Sequence, residues 1–332
     1  MCDVMILDSG IDRRFFNELT HSYEYDPDTH EVRETKHPQD LTGHGSACAH
    51  MIRRLATNVR LGSIKILDPN LTGDSKSLEA ALELCLSLDV SILHMSFSFR
   101  SFHITSRLKE LFQRISNQGK WVVASVENGS EMSYPAALPT VIGVNGTLMP
   151  ESETIWVDQG KPIQVAADMT PVWTHQDFSV YSLFGGNSKA AAVVTGHLAR
   201  LLLEQNQNQQ IDPCCLLAQT AQRFSWLDEE LQRSPNLEIT QPVYGHTLPI
   251  NVLNRIKDIV SCYCNTRTGD HHLLLSKNGL SQNQFPNFIR DIASVVGIPA
   301  NDMQWTFRHF SSFSHFICHI ERIYHHESKT YA

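Results

Sequence analysis

The chain has 332 residues, of which 42% are hydrophobic and 19% are charged, and its formal net charge is -8. This composition is ordinary for a globular protein, and the length allows one large domain with a small addition. The negative charge gives no reason to expect nucleic acid or an anionic membrane as a partner. No apolar run reaches the roughly 18 residues of a membrane span, so we expect no membrane insertion.

Short apolar segments alternate with helical patterns through the first two thirds of the chain. The predicted buried strands are 4–7, 59–67, 90–97, 121–126 and 140–146. The predicted helices are 45–56, 77–88, 104–119, 190–203 and a short one that starts at Pro213 with Asp212 as its N-cap. Strands that alternate with helices predict an α/β fold, in which a mainly parallel sheet carries helices on both faces.

Polar residues stand where two predicted strands end and where two predicted helices begin. Asp8 follows the first strand and Asn128 follows strand 121–126, while His44 and Ser188 stand at helix starts. The carboxyl ends of parallel strands are where functional groups gather in such sheets. Taken singly, each of these residues is well explained as a turn, loop or capping residue.

Each of these four residues lies in its own short segment, and the four segments follow one another along the chain. The segments are ILDSGID, LTGHGSACAHMI, VVASVENGS and GGNSKAAAVVTGHLA. With SYPAALPTVIGVNG (133–146) and YGHTLPINVLN (244–254), they resemble the subtilisin-like serine proteases over roughly residues 3 to 253. The order Asp, His, Ser along the chain is the subtilisin order.

The resemblance implies a serine endopeptidase that acts on peptides or proteins. Ser188 would be the nucleophile, His44 its general base and later the acid for the leaving amine, and Asp8 the carboxylate that fixes the imidazole tautomer. Asn128 would donate its side-chain amide to the oxyanion, beside the backbone N–H of Ser188.

Substrates of this family pair with two protease segments as an added strand. The residues implied to bind substrate here are Ser96, Phe97, Ser98, Ser125, Val126 and Glu127. Glu127 replaces a family glycine, so we expect it either to favour a basic residue before the cut or to close the pocket to all but small residues. Lys189 replaces the family's Met after the nucleophile, and we expect it to point to solvent.

The cysteines and the N-terminus predict a cytoplasmic protein. The eight cysteines include no Cys-x-x-Cys pair, and the N-terminus has no signal-peptide pattern or prosegment ahead of Asp8. Cys48 is expected to be a buried structural thiol. The segment from Cys262 to His272 matches zinc-ligand spacing poorly, and there is no clear acidic loop for calcium, so no metal or other cofactor is predicted.

The composition changes near residue 257, which predicts a catalytic domain over 1–257 and a small, mainly helical domain over 258–332. The tail is expected to form two helices joined by a loop. It faintly resembles a carrier-protein domain in which Ser314 would take the position of the modified serine. Because Ser311 and Phe313 replace the Gly and Asp of that motif, an unmodified helical appendage is the preferred interpretation.

The function predicted from the sequence is an intracellular serine endopeptidase with a narrow substrate range, such as the maturation of a peptide precursor. The alternative is a catalytically silent protein of the same fold that holds a peptide in the substrate groove. The complete set of catalytic residue types favours the enzyme, whereas Glu127 and Phe97 beside the groove motivate the alternative.

Overall fold

The computed structural model describes residues 2–14, 19–98, 104–149, 151–177, 180–204, 211–232, 248–264, 280 and 284–327. The chain divides into two compact units. The first comprises Met1–Thr170 and Phe184–Pro235, and the second comprises Pro171–Leu183 and Asn236–Ala332. This division falls before the predicted boundary at 257/258, and that boundary stays a prediction.

A nine-stranded sheet forms the centre of the first unit. Its strands are β1 (Cys2–Asp8), β2 (His21–Asp26), β3 (Glu31–Glu34), β4 (Leu61–Lys65), β5 (Val90–Met95), β6 (Trp121–Ser125), β7 (Ile142–Thr147), β8 (Ile155–Val157) and β9 (Val165–Asp168). Their spatial order is β3-β2-β4-β1-β5-β6-β7-β9-β8. Neighbouring strands are parallel except at the two edges, where β2–β3 and β8–β9 are antiparallel.

Helices cover both faces of this sheet. The helices of the first unit are α1 (His44–Leu55), α2 (Ser75–Ser87), α3 (Ser106–Asn117), α4 (Gly186–Glu204), α5 (Pro213–Ala218) and α6 (Asp228–Gln232). Helices α2 and α3 pack together over strand residues such as Met5 and Leu7. Side chains alternate along a strand, so the opposite face meets α1 and α4, which also pack together. The predicted α/β fold class is confirmed.

The predicted core strands and helices all form, while the two outermost strands at each side of the sheet, β2, β3, β8 and β9, were not predicted. A polar strand such as β2 lacks the continuous apolar run that marks a buried parallel strand. The predicted cap at Asp212 is confirmed, because its carboxylate accepts the N–H groups of Cys214 and Cys215 at 2.9 and 3.0 Å.

The second unit has an aromatic core. Its elements are β10 (Val172–Asp177), β11 (Val180–Phe184, whose last residue belongs to the first unit), α7 (Ile250–Tyr263), α8 (Phe285–Val296) and α9 (Phe313–Glu327). The rings of Trp173 and Phe285 stack with centroids 3.7 Å apart. The two predicted tail helices are confirmed as α8 and α9, and Ser314 is buried on α9, which does not suit a serine that a modifying enzyme must reach.

Two further predictions concern metals and membranes. The histidines at 271 and 272, which the sequence placed with Cys262 and Cys264 in a doubtful zinc pattern, lie outside the described residues. None of the described helices combines the length and the apolar character needed to cross a membrane.

Candidate active site

The end of β1 and the start of α1 bring Asp8 and His44 together. The imidazole Nδ1 lies 2.7 Å from Oδ1 of the Asp8 carboxylate, and Asp8 is fully buried. A Cβ at Gly45 would overlap the carbonyl oxygen of Gly10, so only glycine lets the helix start approach the strand end this closely. Phe184 packs edge-on against the imidazole with a centroid distance of 5.7 Å.

The pair shifts both pKa values toward the charged forms. Burial alone would raise the pKa of Asp8, but the charge and hydrogen bond of His44 and the Ser9 N–H outweigh it and lower that pKa. Burial alone would lower the pKa of His44, yet the charge and hydrogen bond of Asp8, with the charge of Asp40, raise it. Oδ2 of Asp8 is buried without a partner among the described residues, so Oδ1 makes the hydrogen bonds of this carboxylate.

Asp40 anchors the turn that precedes His44, and the sequence analysis missed it. Its Oδ1 accepts the backbone N–H of Gly43 at 2.8 Å and the hydroxyl of Ser9 at 2.9 Å, and its Oδ2 accepts the N–H of Ser46 at 2.8 Å. One carboxylate therefore ties the start of α1 to the residue after Asp8. The signal in the sequence was the Asp-Leu-Thr-Gly turn pattern directly before the histidine.

Ser188 is the third residue of α4, where helical N–H groups have no partner within the helix and favour an anion. Its hydroxyl donates to the backbone carbonyl of Ser96 at 3.2 Å. The hydrogen bonds of the described residues do not include one between Ser188 and His44. The hydroxyl must therefore rotate toward His44 before the imidazole can take its proton, as is common in unliganded sites.

Asn128 follows β6 and is exposed beside the start of α4. Its Oδ1 accepts the backbone N–H of Asn187 at 2.9 Å. A backbone N–H can only donate, so this bond fixes which end of the amide is oxygen and leaves the NH₂ group free to donate elsewhere. Gly186 has a φ of 72°, and a Cβ there would come within 2.9 Å of the amide oxygen of Asn128.

Asn187 links the segment that follows β6 to the start of α4. Besides its backbone bond to Asn128, its side-chain Nδ2 donates to the carbonyls of Val126 and Glu127 at 2.9 and 3.3 Å. Its Oδ1 accepts the N–H of Gly146 on β7 at 2.9 Å. The Asn187 side chain thus links the start of α4 to β7 and to the segment that follows β6.

The prediction that Lys189 points to solvent is wrong. Lys189 and Asp168 are both fully buried, and their Nζ and Oδ2 atoms lie 2.5 Å apart. Nζ also contacts the hydroxyl and carbonyl oxygens of Ser152, while Oδ1 of Asp168 accepts the N–H of Met149 and the hydroxyl of Thr170. A buried ammonium requires such a partner, and Asp168 at the end of β9 is within reach of α4.

The segments predicted to bind substrate leave adjacent parallel strands, β5 and β6, which pair at Met95 and Ala124. Buried side chains among the predicted residues are Ser96, Ser125 and Val126, and partly exposed ones are Phe97, Ser98 and Glu127. Glu127 forms no ion pair with any described residue. The assignment of these six residues to substrate binding stays a prediction.

A cavity of about 710 Å³ extends from Asn128 and the start of α4. None of the six predicted substrate-binding residues lines it. Its lining also includes Lys161, Trp226 and Asp228. Lys161 pairs with Asp228 at 2.7 Å and lies 5.6 Å from the ring of Trp226.

Asp8, His44 and Cys48 bring possible metal-ligand atoms within 4.8 Å of one another. This group fits a metal poorly, because Nδ1 of His44 already holds Asp8 and burial raises the pKa of the Cys48 thiol well above its ordinary value. Cys48 is buried, as predicted, and its thiol donates to the hydroxyl of Ser96.

A carboxylate–imidazole pair, a serine in the first turn of a helix and a side-chain amide near that turn are the types of group found in serine-protease sites. The family comparison points to the same class of protein. The sequence profile of the subtilase family matches residues 3–228, and the chain belongs to that family.

Two known proteins illustrate the likeness. The chain is similar to the minor extracellular protease Epr of Bacillus subtilis (strain 168), with 24% identity over 216 residues, which is 61% of this chain. It spans 32% of the length of that relative. Among solved structures it is similar to a cold adapted subtilisin-like serine proteinase, with a TM-score of 0.53 and 16% identity over 68% of this chain and 84% of the other. At that identity the structural likeness shows the fold.

Proposed function

We propose that this chain is a serine endopeptidase that cleaves peptide bonds through an acyl-enzyme. The observation that carries the proposal is the 2.7 Å hydrogen bond between Asp8 and His44, in a site where Ser188 lies in the first turn of a buried helix. This arrangement supplies a base, an orienting carboxylate and a nucleophile of the types that acyl transfer needs.

In the proposed reaction, Nε2 of His44 takes the proton of Ser188 while the serine oxygen attacks the substrate carbonyl carbon. The Asn128 amide and the Ser188 N–H stabilise the oxyanion. The C–N bond then breaks, and His44 returns the proton to the leaving amine. Water hydrolyses the acyl-enzyme by the same steps, with His44 again acting as base and then as acid.

We further propose that the substrate range is narrow and that the natural substrate is a peptide precursor or a protein with one preferred site. The support is the carboxylate of Glu127, which has no partner among the described residues, and the lining of the cavity that starts at Asn128. A carboxylate and a defined cavity lining each favour some substrate side chains over others.

We also propose that the protein works in a reducing compartment such as the cytoplasm. Cys215 and Cys262 are exposed free thiols, which persist where glutathione and thioredoxin keep cysteines reduced. Fractionation of the source cells with compartment markers tests this, and recovery of the protein in the culture medium would contradict it.

Hydrolysis of a peptide library derived from a proteome tests the proposed activity. The wild type and Ser87→Ala, an exposed serine at the end of α2, should cleave the same peptides. Ser188→Ala and His44→Ala should cleave none of them at a comparable rate. Cleavage that persists in both variants would come from a contaminant and would overturn the proposal.

The second candidate is a silent protein that binds a peptide in the groove. The hydrogen bond of Ser188 to Ser96 rather than to His44 is the observation that favours it. In that case the wild type would retain library peptides without cleaving them, and Ser188→Ala would retain the same peptides.

A further inference from the structure

Beneath Ser188 lies a buried group of hydrogen-bonding side chains that the proposed reaction does not use. His94 on β5 is fully buried, with Nδ1 at 2.8 Å from the hydroxyl of Thr195 on α4 and Nε2 at 2.7 Å from the hydroxyl of Ser96. The Ser96 hydroxyl also donates to the backbone carbonyl of Ser188 at 3.4 Å and accepts the thiol of Cys48 on α1 at 3.4 Å.

His94 is a single polar side chain in the otherwise apolar segment Ile92–Met95, on the sheet face that meets α1 and α4. Burial lowers its pKa to about 4, so the ring is neutral near pH 7. A neutral imidazole has one donor nitrogen and one acceptor nitrogen. The hydrogen-bonding partners of the ring therefore decide which tautomer is present.

One tautomer satisfies every contact of this group. If Ser96 donates its proton to the Ser188 carbonyl, it must accept from Nε2–H of His94. Nδ1 is then the acceptor for the hydroxyl proton of Thr195. The opposite tautomer would direct the Ser96 proton to His94 and leave the Ser188 carbonyl without this donor.

Ser96 and Ser188 are joined twice in this arrangement. The Ser188 hydroxyl donates to the Ser96 carbonyl at 3.2 Å, and the Ser96 hydroxyl donates to the Ser188 carbonyl. When the Ser188 hydroxyl rotates toward His44, the second bond is the one that remains. This bond positions the main chain of Ser188. His94 ensures that the Ser96 hydroxyl directs its proton to the Ser188 carbonyl.

We infer that His94 is a positioning residue for the nucleophile, acting through the Ser96 hydroxyl on the main chain of Ser188. The inference rests on the proposed function, because it assigns a role in the same reaction. Replacing His94 by Asn or by Gln tests the two hydrogen bonds of the imidazole separately. The amide of Asn reaches about as far as Nδ1 and can keep the bond to Thr195, whereas the amide of Gln reaches about as far as Nε2 and can keep the bond to Ser96.

The test compares His94→Gln with His94→Asn in the full chain. Rates are expressed per mole of active enzyme, which is determined by titration with a fluorophosphonate. His94→Gln should keep kcat within about threefold of the wild type, and His94→Asn should lower kcat by roughly tenfold to hundredfold with little change in KM. Equal losses in both variants, or a normal kcat in His94→Asn, would overturn the inference.

Ser96→Ala provides a second route, which also serves if His94→Asn does not fold. It should lower kcat to the same degree. Where His94→Asn folds, adding it to Ser96→Ala should cause little further loss, because both substitutions act through the same hydrogen bond to the Ser188 carbonyl. Additive losses would contradict the inference.

Nitrogen NMR of ¹⁵N-histidine-labelled protein keeps this inference distinguishable from the proposed function. It should show one neutral Nε2–H tautomer that is absent in His94→Gln and unchanged from pH 5 to 8. A Nδ1–H tautomer would overturn the hydrogen-bond direction even in an active enzyme. If the protein shows the Nε2–H signal but cleaves nothing, the proposed function is contradicted. The role of His94 in catalysis is then contradicted as well.

Discussion

The two sides of the candidate active site are built in different ways. On the base side, Asp8 and His44 meet because β1 ends and α1 begins at one place, and Asp40 anchors the intervening turn through short-range bonds. On the nucleophile side, Asn187 and Lys189 flank Ser188 with buried polar contacts that reach β6, β7 and β9.

This difference separates residues that carry out the reaction from residues that stabilise the site. A base-side variant that keeps a hydrogen-bonding group of the same shape, such as Asp8→Asn, should lower the reaction rate far more than it lowers the free energy of unfolding. Variants on the nucleophile side should change stability as well, because they leave buried donors, acceptors or charges unpaired. The predictions below test this contrast, beginning with the largest effect.

Asp8→Asn is the strongest test on the base side. It should lower kcat by about 10⁴, because the amide no longer enforces the imidazole tautomer that accepts the serine proton. Steady-state kinetics on a peptide cleaved by the wild type measures the loss. Asp26→Asn, at a partly exposed residue that ends β2, is the matched control and should be near wild type. A similar kcat in both variants would contradict the role of Asp8.

Asn128→Leu tests the oxyanion donor at the junction of the two sides. We expect kcat to fall by roughly 10²–10³ with a small change in KM, because the amide stabilises charge that develops only in the transition state. Asn117→Leu, at the exposed end of α3, controls for loss of an amide elsewhere. A rise in KM alone would mean that Asn128 binds substrate rather than the oxyanion.

Lys189→Met tests the buried ion pair on the nucleophile side. Removing one partner should lower the free energy of unfolding by about 3–5 kcal/mol, because it leaves the charge of Asp168 buried without its cation. Adding Asp168→Asn should recover most of the loss while keeping acceptors for Met149 and Thr170. Urea unfolding measures both variants, and a Lys189→Met protein as stable as the wild type would refute the buried pair.

The pH dependence of kcat/KM tests the charge coupling of the base side. Because the pKa of His44 is raised above its ordinary value of 6.5, activity should rise with an apparent pKa above 6.5. The stability that protonated His44 contributes is present below pH 6.5 and is lost as the pH rises through the folded pKa. Asp8→Asn should move the acid limb to lower pH, and an unmoved limb would assign it to another group.

Glu127→Gly has the smallest expected effect and concerns specificity. If the carboxylate pairs with a basic residue before the cut, the variant should lose roughly ten- to hundredfold of preference for Lys or Arg. If Glu127 acts by closing the pocket, the variant should instead accept large apolar residues. Competition between matched peptides measures the preference, and unchanged relative rates would exclude both roles.

The sequence predicted the central fold and the catalytic residue types because their signals are local. An apolar run such as that of β1 and a polar residue at its end are visible without the partner strand. The buried contacts of Lys189, Asn187 and His94 were not predicted, since each depends on a partner that is far away in the chain, as Asp168 is from Lys189. Strands β2 and β3 were not predicted because their polar residues carry no burial pattern, and β8 and β9 were not predicted because they have only three and four residues.

The most direct test of the account is the site of covalent capture by a fluorophosphonate. The wild type should form one adduct, which peptide mapping should place on Ser188, and the labelling rate should fall strongly in both His44→Ala and Asp8→Asn. An adduct on another serine, or labelling of Ser188→Ala at the wild-type rate, would contradict the assignment of Ser188 as the nucleophile that Asp8 and His44 activate.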